Sequence, residues 1–331
     1  MTLKLNRKLS IAPMMDHSDR HFRFFMRIIS PHAMLYTEMI TTGALIHGDR
    51  QRFLEHHADE YPLAIQLGGS DPDDLATCGV IAEEAGYDEV NLNVGCPSDR
   101  VQSGKFGACL MAEPELVADG ISRMSQSVNI PVTVKTRIGI DDQDSYEELA
   151  SFIKCVKEAG CNTFIIHARK AWLNGLSPKE NREVPPLQYE TVYQLKKEFP
   201  ELDFIINGGF TTQDSIMEQY AHVDGVMIGR AAYQNPYLLA EIEQSLFGNE
   251  ASQPTRYEIL EKFMDYVQQN LDQGAHLGHM SRHILGLFLN QPGARAYRRV
   301  ISEHAYKEDA GIEVIQTAME KTREITQNYP L

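Results

Sequence analysis

Eight short apolar runs, each followed by a stretch long enough for a helix, recur along the first 230 residues of the chain. They span 9–15, 34–39, 62–69, 89–95, 131–139, 163–169, 203–209 and 224–230. Strands alternating with helical segments build a parallel sheet with right-handed crossovers. Eight units close a (β/α)8 TIM barrel, a fold that typically takes about 250 residues. An open doubly wound sheet would carry a G-x-G-x-x-G turn after its first strand, and none stands there. The expected fold class is therefore α/β, a (β/α)8 barrel over 1–245.

The intervening segments read as helices. Asp71 before Pro72 is an N-cap with proline at the first helical position. "SYEELASFIKCVKEAG" spaces its apolar residues at helical intervals and ends in glycine. After 245 the strand rhythm stops. Gly248, Asn249, Ser252 and Pro254 mark a linker. Beyond it "RYEILEKFMDYVQQNL", "MSRHILGLFLN", "GARAYRRVISEHAYK" and "GIEVIQTAMEKTREITQ" predict a small all-α domain over 255–331.

The formal net charge of −15 argues against a polyanionic partner for the body of the protein. From Gln273 to Ser302, however, there is no Asp or Glu, while Arg282, Arg295, Arg298 and Arg299 stand with His276, His279 and His283. One basic stripe on an acidic body is compatible with nucleic acid. No apolar run approaches the ~18 residues of a membrane span, and the N-terminus lacks a signal core. A cytoplasmic protein is expected. The five cysteines include no CxxC pair, so neither a zinc ribbon nor a redox dithiol is suggested. Cys78, Cys155 and Cys161 read as small buried hydrophobes, and Cys109 as packing. His17 and His21 stand four apart without an HExxH pattern, so no metal is expected.

A barrel places its chemistry at the carboxyl ends of its strands. The residues there are Met14, Met15, Glu38, Gln66, Asn93, Cys96, Lys135, His167, Asn207 and Arg230. Polar, reactive side chains end run after run, which pure packing does not require. The seventh and eighth runs end in "NGGF" and "IGRAA", where barrels commonly bind phosphate. Gly208, Gly209, Gly229 and Arg230 suit that task. Lys135 suits a Schiff base or an anionic cofactor, and His167 an acid, a base or a donor to an anion. Cys96 could be a nucleophile, metal ligand, redox partner, acid or inert thiol. The connection 168–187 is long and carries Lys170, Lys179 and Arg182, marking it as functional or mobile.

The blocks "APMMDHSDRHFR", "YTEMITTGA", "QLGGSDP", "LNVGCPSDRVQSGKFGACLM", "PVTVKTRIGIDDQDSY", "FIIHARKAWLNGLSPKENREVPPL", "INGGF", "DGVMIGRAAYQNP", "LGHMSRHILGLF" and "PGARAYRRVISE" closely resemble the tRNA-dihydrouridine synthases, in their bacterial A-type branch. The likeness runs nearly end to end. Arg100, where many relatives carry lysine, is usual in that branch; His17 stands where the branch often has tryptophan. The resemblance implies an FMN-bearing barrel with NADPH as reductant, and a helical domain that helps grip tRNA. D-loop uridines would be reduced. Pro13, Met14 and Met15 would line the flavin, with Gln66 at its polar edge. Lys135 and His167 would contact it, and Asn207, Gly208, Gly209, Gly229 and Arg230 would hold its phosphate. Asn93 would meet the uridine; Lys179, Arg182, Arg295 and Arg298 would touch tRNA. No DNA, membrane or protein partner is implied.

Saturating the uracil C5–C6 bond takes a hydride and a proton, and no side chain donates hydride. A thiol in reach can supply the proton, which makes Cys96 the expected acid, on a loop that Gly95, Gly104 and Gly107 leave free to close. The alternatives are a small-molecule barrel enzyme (a flavin reductase or a Lys135 Schiff-base lyase) and a non-catalytic tRNA-binding protein.

Overall fold

The computed structural model describes residues 5–248 and 253–328. Its eight strands are β1 (Leu9–Ile11), β2 (Leu35–Thr41), β3 (Leu63–Gly68), β4 (Glu89–Val94), β5 (Val132–Arg137), β6 (Thr163–His167), β7 (Asp203–Asn207) and β8 (Gly225–Ile228). Every ladder is parallel, and the order runs β1-β8-β7-β6-β5-β4-β3-β2. The ring closes where Ser10 bridges Met34. There the Ile11 N–H donates to Met34 O and the Met34 N–H to Leu9 O, both at 2.9 Å. This is the eight-stranded parallel barrel expected from sequence. β1 is shorter than its apolar run because Pro13 brings no N–H and Asp16 turns left-handed at φ 64°.

Side chains alternate across a strand, so every second residue enters the barrel. Ala12, Met34, Tyr36, Ala64, Ile165, Ile205 and Met227 form the apolar part of that interior. β4 and β5 instead insert Glu89, Asn91 and Thr133, all fully buried. The helices outside bury one apolar stripe each. Tyr146–Glu158, started by a Ser145/Glu148 capping box, buries Leu149, Phe152, Ile153 and Val156. Each such side chain contributes about 1.5–3 kcal/mol. Cys78 and Cys161 are buried as expected; Cys155 is only half-buried.

The chain divides into two compact units: residues to Asp16 with Ala33–Gly229, and His17–His32 with the chain from Arg230 onward. The helical unit therefore begins at Arg230 and includes the helix Arg20–Ile29, whereas the sequence places the boundary at 245–255. Arg20–Ile29 buries Phe22, Phe25, Met26 and Ile29. Phe25 meets Phe263 at 5.0 Å between centroids, and Phe24 stacks on Tyr266 at 3.9 Å. Of the expected linker, Asn249 and Ser252 lie outside the described residues.

In the tail, helices form over Arg256–Asp272, Ala294–His304 and Glu313–Asn328. "MSRHILGLFLN" departs from expectation: its helix covers only Leu277–Ser281. The rest runs in turns closed by bonds such as Leu287 N–H to Ile284 O and Leu289 N–H to Gly286 O. Within these turns Gly286 packs close to its neighbour, where a Cβ would stand 2.4 Å from Gln234 O.

Candidate active site

Gln66, Asn93, Lys135, His167 and Asn207 stand two positions after Ala64, Asn91, Thr133, Ile165 and Ile205. They enter the barrel one layer nearer its carboxyl end. Asn93 pairs in register with Lys135, and His167 with Asn207. The Lys135 ammonium has one long hydrogen bond, to Asn207 Oδ1 at 3.5 Å, while Asn207 Nδ2 donates to Met227 O at 2.8 Å. Burial, then the charge of Arg137, push Lys135 down to about 8. His167 falls well below the ordinary imidazole value, by burial first and then by Arg137, Lys135, Arg169 and Arg182. It is a neutral ring at pH 7. The leading charges acting on it are the cations Arg137, Lys135, Arg169 and Arg182, which oppose a further positive charge on the ring.

Two turns continue the layer. Gly208 and Gly209 are left-handed, at φ 124° and 78°, a region that favours glycine. A Cβ on Gly208 would stand 2.7 Å from His167 Cδ2, and Tyr189 O–H donates to Gly208 O at 2.7 Å. At Gly229 a Cβ would meet only Ala12, at 3.9 Å, leaving open space. Pro13 and Met14 are half-buried after β1, and Met15 is 54% exposed.

Cys96 follows β4 directly. Asn93 Oδ1 accepts the N–H groups of Gly95 (3.1 Å) and Cys96 (3.0 Å), and Cys96 O accepts from Ala108 N–H at 2.9 Å. The half-buried thiol lies 3.6 Å from Ser98 Oγ. Gly107 is left-handed, at φ 78°, and a Cβ there would press to 2.6 Å from Cys96 O. Its glycine thus serves close approach, where the sequence suggested freedom to close. Gln102 donates to Pro97 O (2.9 Å) and Leu173 O (2.7 Å).

Arg137, which sequence reading passed over, holds the same loop. Its guanidinium donates to Gly95 O (2.9 Å), Lys170 O (3.1 Å) and Asn181 O (3.0 Å). The Cys96 loop is thereby bound to the long connection after β6. Asn181, fully buried, knots that connection through Trp172 and Leu176. The missed signal was parity: Arg137 lies two positions beyond Lys135. Lys170 is committed to Asp144 (2.6 Å) and Asp141 O (2.9 Å), so it is a strut of the loop. Lys179 and Arg182 are exposed on that connection, and Arg182's charge is felt by Arg137 and His167.

Arg230, Arg295 and Arg298 belong to the helical unit. Arg230 opens the helix Arg230–Gln234. On Ala294–His304, Tyr297 and Val300 point inward and Arg295, Arg298 and Arg299 outward. Arg282 leaves the stripe, because it pairs with Asp19, as does the buried His283. His21 bonds Tyr266 Oη at 2.8 Å, and His17 stacks on Tyr233 at 4.4 Å.

The family model of dihydrouridine synthase (Dus) matches residues 10–323. The chain is 61% identical over 315 residues to a tRNA-dihydrouridine(20/20a) synthase of Vibrio vulnificus, covering 95% of this chain and 96% of that one. It is 56% identical over 312 residues to the protein of that name from a Synechocystis species, covering 94% and 93%. Among solved structures, a 2-naphthoyl-CoA reductase complex superposes with a TM-score of 0.57 at 11% identity. That match covers 75% of this chain and 52% of the reductase, and shows likeness of fold alone. With a barrel whose rim carries Asn93, Cys96, Lys135 and His167, and with relatives matched along nearly their whole length, the chain belongs to the dihydrouridine synthase family.

Proposed function

We propose that the protein reduces D-loop uridines of tRNA to 5,6-dihydrouridine, at positions 20 and 20a as the names of its relatives specify, with FMN as cofactor and NADPH as reductant. The observation that carries this is the cationic layer at the barrel rim beside the Cys96 loop. Among the described residues Lys135 holds a long bond to Asn207, and the leading charges on His167 are the cations Arg137, Lys135, Arg169 and Arg182. The left-handed Gly208–Gly209 turn and the open face of Gly229 leave a cradle that a phosphate fits. These features suit FMN, which when bound supplies the hydride for uracil C6. Lys135, His167, Asn207, Gly208, Gly209, Gly229 and Arg230 would hold it, with Pro13, Met14, Met15 and Gln66 about its ring.

Cys96 then delivers a proton to C5. Asn93 binds the uracil, and the same Asn93 carbonyl fixes the Cys96 backbone, so the groups for recognition and protonation are set by one residue. A base inside folded tRNA must leave its stack, at a cost of a few kcal/mol. Phosphate contacts from Lys179, Arg182, Arg295 and Arg298 offset that cost. The barrel is thus the catalytic unit and the helical unit a tRNA grip, in a cytoplasmic setting.

The purified protein is expected to be yellow and to release FMN. Deletion of its gene should deplete dihydrouridine at positions 20 and 20a, and the cloned gene should restore it. A colourless, flavin-free protein, or unchanged dihydrouridine after deletion, overturns the assignment.

A further inference from the structure

Through the middle of the barrel runs a line of buried hydrogen bonds that all donate in one direction. Glu89 Oε1 accepts from Thr133 O–H at 2.6 Å. Thr133 Oγ1 accepts from Asn91 Nδ2 at 2.9 Å. Asn91 Oδ1 accepts from Gln66 Nε2 at 2.8 Å, and Gln66 Oε1 from Asn93 Nδ2 at 2.8 Å. Asn93 Oδ1 takes the N–H groups of Gly95 and Cys96. Both ends impose the same sense, since a carboxylate only accepts and a backbone N–H only donates. Turning any one amide would set N–H against N–H.

The polarity has a consequence at the rim. Asn93 Oδ1 already accepts two hydrogen bonds, so the group Asn93 has left to offer is its second N–H. We infer that Thr133 and Asn91, one layer below the rim, are positioning residues: through Gln66 they fix the amide of Asn93, so that it meets the substrate only as a donor and the reacting ring must place a carbonyl oxygen there. This rests on the proposed reduction of uridine. Uracil offers such an oxygen, whereas an amino group in its place would oppose donor to donor. Hydride addition at C6 also sends negative charge toward the carbonyl conjugated with C5, which that N–H would stabilise.

The test is Thr133→Val, which removes the relaying hydroxyl at nearly constant shape, with Thr133→Ser as the conservative rescue. In protein labelled with 15N at Asn and Gln side chains, the amides of Asn91, Gln66 and Asn93 should exchange slowly in the wild type and the serine variant. In the valine variant those of Asn91 and Gln66 should exchange at least tenfold faster. kcat for tRNA reduction should fall about tenfold with KM for tRNA within twofold. Slow exchange and wild-type kcat in the valine variant overturn the inference, as does a serine variant that fails to restore both. Thr133→Ala provides the same deletion if valine does not fold. The exchange measurement needs neither flavin nor tRNA, so a protein that reduces no tRNA refutes the functional proposal while the ladder is still judged.

Discussion

Replacing Arg137 by methionine should release the Cys96 loop while leaving the barrel folded. The guanidinium donates to three carbonyls, on Gly95, Lys170 and Asn181, between 2.9 and 3.1 Å. Bonds from a charged donor contribute about 1.5–3 kcal/mol each, so the gross effect is ~4.5–9 kcal/mol. Against it stands burial. Arg137 is only 4% exposed, and burial pushes it down to about 10. Each tenfold change in proton affinity is ~1.4 kcal/mol, so the fall from an ordinary value near 12.5 costs the cation about 3–4 kcal/mol. The difference, ~1–6 kcal/mol, centres near 3, or about a hundredfold in loop opening. Methionine keeps the apolar volume, so the loss should be local. Hydrogen exchange should quicken about a hundredfold over 95–106 and 170–183, with the strand amides unchanged. tRNA reduction should drop by a similar factor, because misplacing a reacting group by about 1 Å has that effect. Arg137→Lys, with one compact ammonium, should fall between. Removing the Arg137 charge should also raise the titration of Lys135 above its present value of about 8. Wild-type exchange in both segments, together with wild-type turnover, would falsify the clamp.

Cys96→Ala should keep its FMN and its NADPH oxidation yet lose most tRNA reduction; normal reduction in this variant removes the thiol as acid. Lys135 carries its charge below about pH 8 and is neutral above, so FMN should bind more tightly at pH 7 than at pH 9.5. In the ligand-free protein the sign reverses: between about 8 and ~10.4, the ordinary lysine value, the unfolded chain holds more protons, so denaturant titrations should show stability rising with pH across that window. An FMN affinity that is flat from pH 7 to 9.5 contradicts the role of Lys135. Gly208→Ala should cost about 1–3 kcal/mol of local strain and release FMN, because its Cβ would meet His167 at 2.7 Å. Gly229→Ala should weaken FMN without lowering the melting temperature of the flavin-free protein, since its Cβ meets only Ala12 at 3.9 Å; equal thermal loss in both variants would dismiss the cradle. Arg295→Ala and Arg298→Ala should each flatten the salt dependence of tRNA binding by about 0.7–0.9 in log–log slope; an unchanged slope places the tRNA elsewhere.

Local periodicity is what the amino-acid order carries most directly, and the barrel is a consequence of it. Eight apolar runs separated by capped helical stretches leave few other ways to bury strands on both faces. The rule that strand carboxyl ends bear the chemistry then picks out Gln66, Asn93, Lys135, His167 and Asn207, of which Asn93 pairs with Lys135 and His167 with Asn207 in register. What the sequence could not disclose are the bonds between residues distant along the chain. Arg137 reaches Gly95 across 42 residues and Asn181 across 44. Arg282 turns from the basic stripe to Asp19, 263 positions away. Arg20–Ile29 reads as the barrel's first helix, yet its apolar face is buried in the helical unit, with Phe25 against Phe263. The polarity of Asn93 depends on Glu89, through three intervening side chains. A spacing rule reports which face a residue lies on. Which donor finds which acceptor is settled only when the chain closes on itself, because a buried polar group must be matched by whatever the fold brings beside it.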